Sequence, residues 1–289
     1  MVGVKHLALP FALSLLTLSP AGGRAGPPIL DRADNFAASL FAQSAAEALN
    51  HGFPSRDVSF LLLDAHTGRV LASRWDHPDT PIPMGSLVKP FTALAYGEQH
   101  EYKYPRHTCR GTATGCWLPR GHGDIDLNAA IAYSCNSYFR MLTGSLSAAD
   151  VLPTAARFGL EPPGREATGP ELAGLGTRWR ISPLRMARAY VELVHRRQQP
   201  GVSQVLDGMA LSARRGTGAE VHRTLPFPDA FVKTGTAACT HSQRAPGDGF
   251  TVALTPADDP LILLLVRIHG VPGAQAAKTA GQMLRRIED

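Results

Sequence analysis

The order of strand and helix patterns along the chain is the strongest constraint on its fold. Two apolar runs flank the turn signal HTG early in the chain, and helical spacing dominates the middle. Strand patterns return late, and helical patterns occupy 33–50 and the C-terminal stretch GAQAAKTAGQMLRRIE. The strand segments are 58–74, 230–237, 249–256 and 261–270, and the central helical region is 127–196. This order predicts an α+β fold: an antiparallel sheet flanked by terminal helices, with an inserted all-helical lobe.

Two further segments lie between the early strands and the central helices. PMGSLVKPFTALAY (83–96) has the apolar spacing of a core-facing helix, and residues 98–126 are rich in Gly, Pro, Arg and His, which predicts a loop. The helix pattern carries Lys89, one of only five lysines in the chain, with a proline directly after it. A lysine in an apolar helix requires an explanation.

The first 25 residues have the composition of a secretory signal. A short basic start precedes the apolar run LALPFALSLLTLSPA, and GRA before Gly26 is typical of a cleavage site. The run has 15 residues and two prolines, which is short for a membrane span. We therefore expect a signal peptide over 1–25, an N-terminal helix and lead-in over 26–57, and one domain over 58–289. An uncleaved anchor is the alternative, and either reading predicts an exported, periplasmic or cell-envelope protein.

The charge distribution gives little support to nucleic-acid binding. The formal net charge is +5, and it falls to +3 if cleavage removes Lys5 and Arg24, which leaves 27 basic against 24 acidic residues. The arginines are scattered and are not interleaved with aromatic residues. A mild positive balance suits an anionic polymer or a substrate that bears a carboxylate.

Three short motifs occur in a fixed order. Ser86 and Lys89 form Ser-x-x-Lys, which is weak on its own because a capping serine followed by a snorkelling lysine also matches it. Ser134 and Asn136 form the only Ser-x-Asn in the chain. KTGT, residues 233–236, places a lysine and a glycine within a strand pattern, where both are unusual. The order and spacing make coincidence a poor explanation.

The ordered motifs resemble those of the penicillin-binding protein transpeptidase family and the serine β-lactamases. Flanking segments add to the resemblance, which extends from about residue 58 to 286: LDAHTGRVLA, GHGDIDLNAAIAYSCNSYF, ISPLRMARAYVEL, GMALSARRGTG and VALTPADDPLILLLVRI. Only about 30 residues separate the expected cleavage point from the first strand. Large members of the family carry a pedestal or glycosyltransferase domain there, so we expect a transpeptidase domain that stands alone.

The resemblance implies that Ser86 is the nucleophile and Lys89 its base. Ser86 would attack the carbonyl of a D-Ala-D-Ala stem peptide and form an acyl-enzyme. Lys89 lies one helical turn further on, so its amine can reach the same region as the serine hydroxyl. An apolar surrounding and the nearby Lys233 would lower the pKa of Lys89 until the neutral amine can accept a proton.

The resemblance also assigns roles to the second and third motifs. Ser134 would relay a proton to the leaving amine, and Asn136 would hold substrate amides and orient Lys89. Lys233, with the hydroxyls of Thr234 and Thr236, would bind the terminal carboxylate of the substrate. Gly235 would let the substrate lie along the strand edge. The backbone N–H groups of Ser86 and Thr236 would form the oxyanion hole.

The β-lactamase alternative depends on a glutamate that activates the deacylating water. Class A enzymes carry it within Glu-x-x-Leu-Asn, but aligning Leu172 of GPELAG puts Gly169 in the glutamate position. Glu166 or Glu171 could replace it only from a shifted loop. The second motif of class D enzymes, Tyr/Phe-Gly-Asn, is also different from SCN. Fast hydrolysis of β-lactams is therefore not expected.

The segment HTCRGTATGCW, which contains two of the four cysteines, allows two interpretations. In an oxidising compartment Cys109 and Cys116 could form a disulfide that closes a small loop, which we favour. The rival is a zinc site of His107, Cys109, Cys116 and His122, whose spacing matches no recognised zinc module.

The remaining cysteines are expected to be free, and no metal site and no cofactor is expected. Cys135, inside SCN, is either a reactive thiol or, more simply, a small buried side chain. Cys239 and His241 follow the third motif and are interpreted as ordinary loop residues.

The sequence thus predicts an exported serine D,D-transpeptidase that cross-links peptidoglycan stem peptides. β-Lactams are expected as covalent inhibitors, and a glycosyltransferase or another cell-wall protein as a partner. A D,D-carboxypeptidase, a penicillin-binding sensor or scaffold without turnover, and a serine β-lactamase remain as alternatives.

Overall fold

The computed structural model describes residues 29–225, 229–240 and 244–288. The contacts divide the chain into a short first unit, residues 1–38, and a second unit, residues 39–289. Only the beginning of the first helix is described in the first unit. The expected signal segment and His241 lie outside the described residues. Within the described part of the chain, no helix is long and apolar enough to cross a membrane.

Nine strands and ten helices are present in the described part of the chain. The strands are β1 Val58–Asp64, β2 Val70–Arg74, β3 Ile82–Pro83, β4 His107–Cys109, β5 Gly123–Ile125, β6 Arg180–Ile181, β7 Phe231–Ala237, β8 Asp248–Thr255 and β9 Ile262–His269. The helices are α1 Ile29–Gly52, α2 Lys89–Gln99, α3 Leu127–Ala132, α4 Asn136–Thr143, α5 Ala148–Arg157, α6 Gly169–Leu172, α7 Pro183–His195, α8 Val202–Arg215, α9 Ala219–Thr224 and α10 Gly273–Glu288.

The early hairpin and the late strands form one five-stranded antiparallel sheet. Its strand order is β2-β1-β9-β8-β7, so β1 pairs with β9 across most of the chain length. All elements from α2 to α9 are inserted between β2 and β7. The α+β architecture and the inserted helical lobe are confirmed.

Alternate residues of the central strands fill two separate cores. Leu61 and Leu265 face the core shared with the helical lobe, whereas Leu62 and Leu264 face the other side. That second core includes Ala45 and Leu49 of α1 together with Met283 and Leu284 of α10. The terminal helices therefore cover one face of the sheet, as the sequence predicts.

Two segments differ from the sequence-based expectation. Residues 98–126, which the sequence predicted to be a loop, contain the strand pair β4–β5 and a 3₁₀ turn at Gly111–Thr114. The sequence did not reveal these strands because three residues are too few to show a period of two. The second segment is α8, to which no element was assigned. It contains Gly208, where a Cβ would lie 2.7 Å from the Cβ of Ile131, so a glycine there permits close packing on α3.

Candidate active site

Ser86 lies in a 3₁₀ turn, Gly85–Val88, directly before α2. Lys89 begins α2 and Pro90 follows it in the first turn, where a missing N–H costs no hydrogen bond. Gly85 has φ +57°, and a Cβ there would lie 2.3 Å from the carbonyl oxygen of Thr236. The turn that presents Ser86 therefore packs directly on β7, with the backbone of Thr236 facing it.

A cleft of about 300 Å³ collects most of the residues of the three motifs. Its lining includes Ser86 from the first motif, Ser134 and Asn136 from the second and Thr234, Gly235 and Thr236 from the third. The two lysines do not line the cleft. Both are fully buried beside it, at 0% exposure.

Lys89 is held by the second motif. Its Nζ donates hydrogen bonds to Oδ1 of Asn136 at 2.7 Å and to the carbonyl oxygen of Ser134 at 3.0 Å. The amine also lies 5.2 Å from the centre of the Phe139 ring. Burial lowers the pKa of Lys89 to about 7, since an apolar surrounding disfavours the charged form. Neutral amine is therefore well populated near neutral pH.

Lys233 also contacts the second motif, through the side chain of Ser134. Its Nζ donates to Oγ of Ser134 at 2.9 Å and to the carbonyl oxygen of Thr234 at 2.7 Å. Burial lowers the pKa of Lys233 well below its ordinary value, and the charge of Lys89 lowers it further. Two buried amines in one network favour states in which they are not both charged.

Ser134 adopts a backbone conformation that is unusual for a serine. Its φ is +51°, in the left-handed region, within the turn between α3 and α4. Cys135 follows as the first residue before α4, with φ −66° and ψ 111°, and Asn136 begins that helix. The turn directs Ser134 and Asn136 to the cleft, while Cys135 is fully buried.

The third motif lies on β7, which is the edge strand of the sheet. A Cβ on Gly235 would lie 2.9 Å from the carbonyl oxygen of Met84, so the packing of the strand on the Ser86 turn already requires glycine. The hydroxyl of Thr236 accepts a hydrogen bond from the N–H of Gly273 at 3.0 Å. The site thus joins β7, the Ser86 turn and the start of α10.

Thr217 and Trp117 also line the cleft, and the sequence did not identify either of them. The hydroxyls of Thr217 and Thr234 lie 2.6 Å apart. Trp117 is 51% exposed, and its indole N–H donates to the carbonyl oxygen of Tyr133 at 3.2 Å. The GTG stretch after α8 was a usable signal for Thr217, whereas nothing local marked Trp117.

No carboxylate lines the cleft in the part of the chain that the structure describes. Glu171, one of the two glutamates considered for a deacylating role, accepts a hydrogen bond from the N–H of Arg178 at 2.8 Å instead. Glu166 is also absent from the cleft lining. The described cleft lining therefore offers serine and threonine hydroxyls without a carboxylate.

The cysteines differ from both sequence-based interpretations. Cys109 and Cys116 are free thiols, so the structure does not contain the expected disulfide. His107 is not part of the group, because its Nε2 contacts Oγ of Ser137 at 2.6 Å. Cys135 takes its place, and one ligand atom from each of Cys109, Cys116, His122 and Cys135 lies within 4.8 Å of the other three. We call these four residues the Cys₃His cluster.

The five-stranded sheet, the inserted helical lobe and the serine–lysine cleft define a β-lactamase/transpeptidase-like fold. Residues 58–289 match the family described as the penicillin binding protein transpeptidase domain, and the chain belongs to that family. The resemblance drawn from the motifs is thereby confirmed. The family is of the serine peptidase and acyltransferase kind and is associated with penicillin binding and peptidoglycan synthesis.

Solved structures of the same fold share little sequence with this chain, and no curated protein matches it. PBP2 of Pseudomonas aeruginosa, in complex with WCK 5153, has a TM-score of 0.67 at 20% identity, covering 86% of this chain and 76% of that one. The transpeptidase domain of Burkholderia pseudomallei penicillin-binding protein 3 has 0.64 at 17%, covering 90% and 98%. PBP2 of Helicobacter pylori, in complex with MreC, has 0.68 at 16%, covering 86% and 62%.

Proposed function

We propose that this chain is a serine D,D-transpeptidase that forms an acyl-enzyme with D-Ala-D-Ala stem peptides during peptidoglycan cross-linking. The observation that carries the proposal is the pair of buried amines that both donate hydrogen bonds to Ser134. Lys89 contacts its carbonyl oxygen and Lys233 its hydroxyl, and Ser86 lines the same cleft as Ser134. Such an arrangement supplies a nucleophile, a base and a proton relay within one site.

The proposed acylation begins with neutral Lys89, which accepts the proton of the Ser86 hydroxyl. The serine oxygen attacks the carbonyl carbon between the two D-alanines, and the N–H groups of Ser86 and Thr236 stabilise the oxyanion. When this intermediate collapses, the bond to the leaving D-alanine breaks. The proton that Lys89 took from Ser86 is returned through the Ser134 hydroxyl to the departing nitrogen, so Lys233, which donates a hydrogen bond to that hydroxyl, ends the step in its starting protonation state. An acceptor amine then attacks the ester carbonyl, Lys89 takes up its proton and passes it to the Ser86 oxygen, and the ester bond breaks to give the new amide and free Ser86.

The third motif suits the terminal carboxylate of the donor peptide. Thr234 and Thr236 line the cleft, and the buried Lys233 donates a hydrogen bond to the carbonyl oxygen of Thr234. An anion that enters the cleft favours the protonated form of a neighbouring amine. Lys233 therefore needs no permanent charge in the free protein in order to bind a carboxylate.

We expect β-lactams to acylate Ser86 and to remain attached. A β-lactam presents a strained amide and a carboxylate to the same groups as the stem peptide. The cleft lining described by the structure lacks a carboxylate that would activate a deacylating water. This absence favours a slowly deacylating penicillin-binding enzyme over a β-lactamase.

We further propose that the protein acts outside the cytoplasm with cell-wall partners. The signal-like first 25 residues support export. A structural neighbour, PBP2 of Helicobacter pylori, is described in complex with MreC. A glycosyltransferase or another cell-envelope protein is the kind of partner that would supply new glycan strands to this site.

Covalent labelling with a fluorescent penicillin tests the proposal. Intact mass should show one adduct on the purified chain, stable for many minutes and lost in Ser86→Ala. Rapid turnover of the drug would instead indicate a β-lactamase, and no adduct would leave a non-catalytic scaffold. Stem peptides with and without an acceptor amine then separate transpeptidation from D,D-carboxypeptidase activity by the products formed.

A further inference from the structure

We propose that Cys109, Cys116, His122 and Cys135 bind one zinc ion that fixes the turn carrying Ser134 and Asn136. The metal site is independent of the proposed function. Only the expected effect of the metal on acylation rests on the proposed function. The proposal departs from the sequence-based expectation that no metal is bound. The geometry, the donor chemistry and the position of the cluster each support it.

The spacing of the donor atoms is that of a tetrahedral metal site. With ordinary Zn–S and Zn–N bond lengths, the edges of the tetrahedron are about 3.8 Å between two sulfurs and about 3.6 Å between sulfur and nitrogen. The sulfurs of Cys116 and Cys135 are 3.8 Å apart. The Nδ1 of His122 is 3.6 Å from the sulfur of Cys109 and 3.6 Å from that of Cys116. A disulfide would require two of these sulfurs at about 2 Å.

The chemistry of the four donor atoms favours zinc as the metal. Three thiols and one imidazole form a closed four-ligand site, which is the composition of structural zinc centres. All three cysteines are buried, with exposures of 2%, 5% and 0% for Cys109, Cys116 and Cys135. The alternative is a set of buried thiols that merely pack together. Weak hydrogen bonds between sulfurs give little reason for four groups to converge on one point.

The backbone around the cluster is folded to bring the ligands together. Cys109 ends β4 and pairs with Gly123 of β5, which follows His122 directly. Gly111, Gly115, Gly121 and Gly123 all have φ between +66° and +76°. A Cβ on Gly121 would lie 2.2 Å from the carbonyl oxygen of Cys109. A small glycine-rich loop is the kind of segment that a bound metal stabilises.

The side chain of His122 is held between two aromatic rings. It stacks on Tyr133 at 5.4 Å with an interplanar angle of 14°, and it meets Trp117 edge-on at 5.6 Å. These contacts orient the imidazole so that Nδ1 faces the sulfurs. Fixed orientation of a ligand ring favours metal binding because less freedom is lost.

The fourth ligand connects the cluster to the cleft. Cys135 lies between Ser134 and Asn136, whose atoms accept the hydrogen bonds of Lys89 and Lys233. A metal bound to Cys135 would fasten this turn to the loop 109–123. The same loop carries Trp117, which lines the cleft. Cys135 would thus act as a positioning residue, holding its two neighbours without touching the substrate.

The first test is metal analysis of the purified full chain. We expect one zinc per chain by elemental analysis and native mass spectrometry. Replacement of zinc by cobalt should give the intense visible absorption of a tetrahedral site and charge-transfer bands from thiolate ligands. These measurements on the wild type do not depend on whether any variant folds.

Variants locate the metal. Cys116→Ser and His122→Ala should each lose the zinc and the thiolate bands. His107→Gln and Cys239→Ser should keep both, since neither residue belongs to the Cys₃His cluster. Cys239 is a useful control because it forms a different possible donor group with Asp248 and His269. Loss of the metal in Cys239→Ser alone would place it there and overturn the proposal.

Removal of the metal tests its role. A chelator should lower the melting temperature and slow penicillin labelling of Ser86 by about 100-fold, and added zinc should restore both, because a small displacement of catalytic groups is costly. A wild-type chain without metal, whether with four free thiols or with a disulfide from Cys109, would sink the proposal. So would labelling that is unaffected when zinc is removed. If the chain binds zinc but penicillin never labels it, only the proposed function fails.

Discussion

Lys233 donates a hydrogen bond to the hydroxyl of Ser134, 2.9 Å away, and both residues are almost completely buried. Lys89 donates to the carbonyl oxygen of the same serine. Ser134 therefore joins two amines whose pKa values are both lowered by burial. Both amines are thereby held next to one residue at positions buried from bulk water.

Replacement of Lys89 by methionine should abolish most of the acylation. Loss of a general base costs about 100- to 10,000-fold in rate, so we expect labelling by fluorescent penicillin to slow by that amount in Lys89→Met. Lys278→Met is the matched control, because Lys278 is an exposed lysine of α10 outside the cleft. Rates of Lys89→Met within about threefold of the wild type would exclude Lys89 as the base.

The rate of acylation should rise with pH through about 7. Lys89 acts as a base only when it is neutral, and its pKa is lowered to about 7 by burial. With that value the neutral fraction increases from about one tenth at pH 6 to about nine tenths at pH 8, and the rate should then level off. Stopped-flow labelling across this range measures the profile. A profile that is flat between these limits, or that falls, would contradict the assignment.

The sequence predicted the architecture, and it picked out residues that meet at one cleft, for a physical reason. Strand and helix periods are local properties, and one antiparallel sheet was the economical way to combine the early and late strands. The structure adds the pairing of β1 with β9. The motif residues could also be recognised from the sequence because each residue type has a characteristic chemistry. Ser86, Ser134 and Thr234 accordingly line one cleft in the structure.

The contacts that the sequence did not predict depend on the folded backbone. The contact of Thr217 with Thr234 joins two segments whose approach no local pattern encodes. The Cys₃His cluster was missed because Cys135 follows an uncommon left-handed residue, Ser134, which redirects the chain. Spacing in sequence alone favoured His107, which the structure places against Ser137.

Because Ser134 has a left-handed backbone, two substitutions can distinguish the contribution of its hydroxyl from that of its backbone conformation. Ser134→Ala and Ser134→Gly both remove the hydroxyl, and both should slow acylation to a similar extent. Glycine adopts φ +51° without the steric cost of a Cβ, so Ser134→Gly should be more stable than Ser134→Ala by about 1 kcal/mol. Urea unfolding of the two variants measures the difference. Equal stabilities would show that the turn relaxes when the serine is replaced.

Contact between the Ser86 turn and β7 should make Gly85 intolerant of any side chain. Gly85→Ala introduces a Cβ 2.3 Å from the carbonyl oxygen of Thr236, which must push the turn away from the strand. Gly159→Ala is the control, because Gly159 has φ +67° with nothing within 4 Å of the added Cβ. The free energy of unfolding of Gly159→Ala should fall only by the conformational cost of a left-handed alanine, about 1–2 kcal/mol.

The two glycine variants should therefore differ in both unfolding and labelling. Gly85→Ala is expected to be destabilised beyond the control, because a backbone clash adds to the same conformational cost. It should also slow penicillin labelling by about 100-fold, since the displaced turn separates the N–H groups of Ser86 and Thr236 that we propose stabilise the oxyanion. Gly159→Ala should label at the wild-type rate. Similar labelling in both variants would mean that the contact of Gly85 with Thr236 does not position the nucleophile.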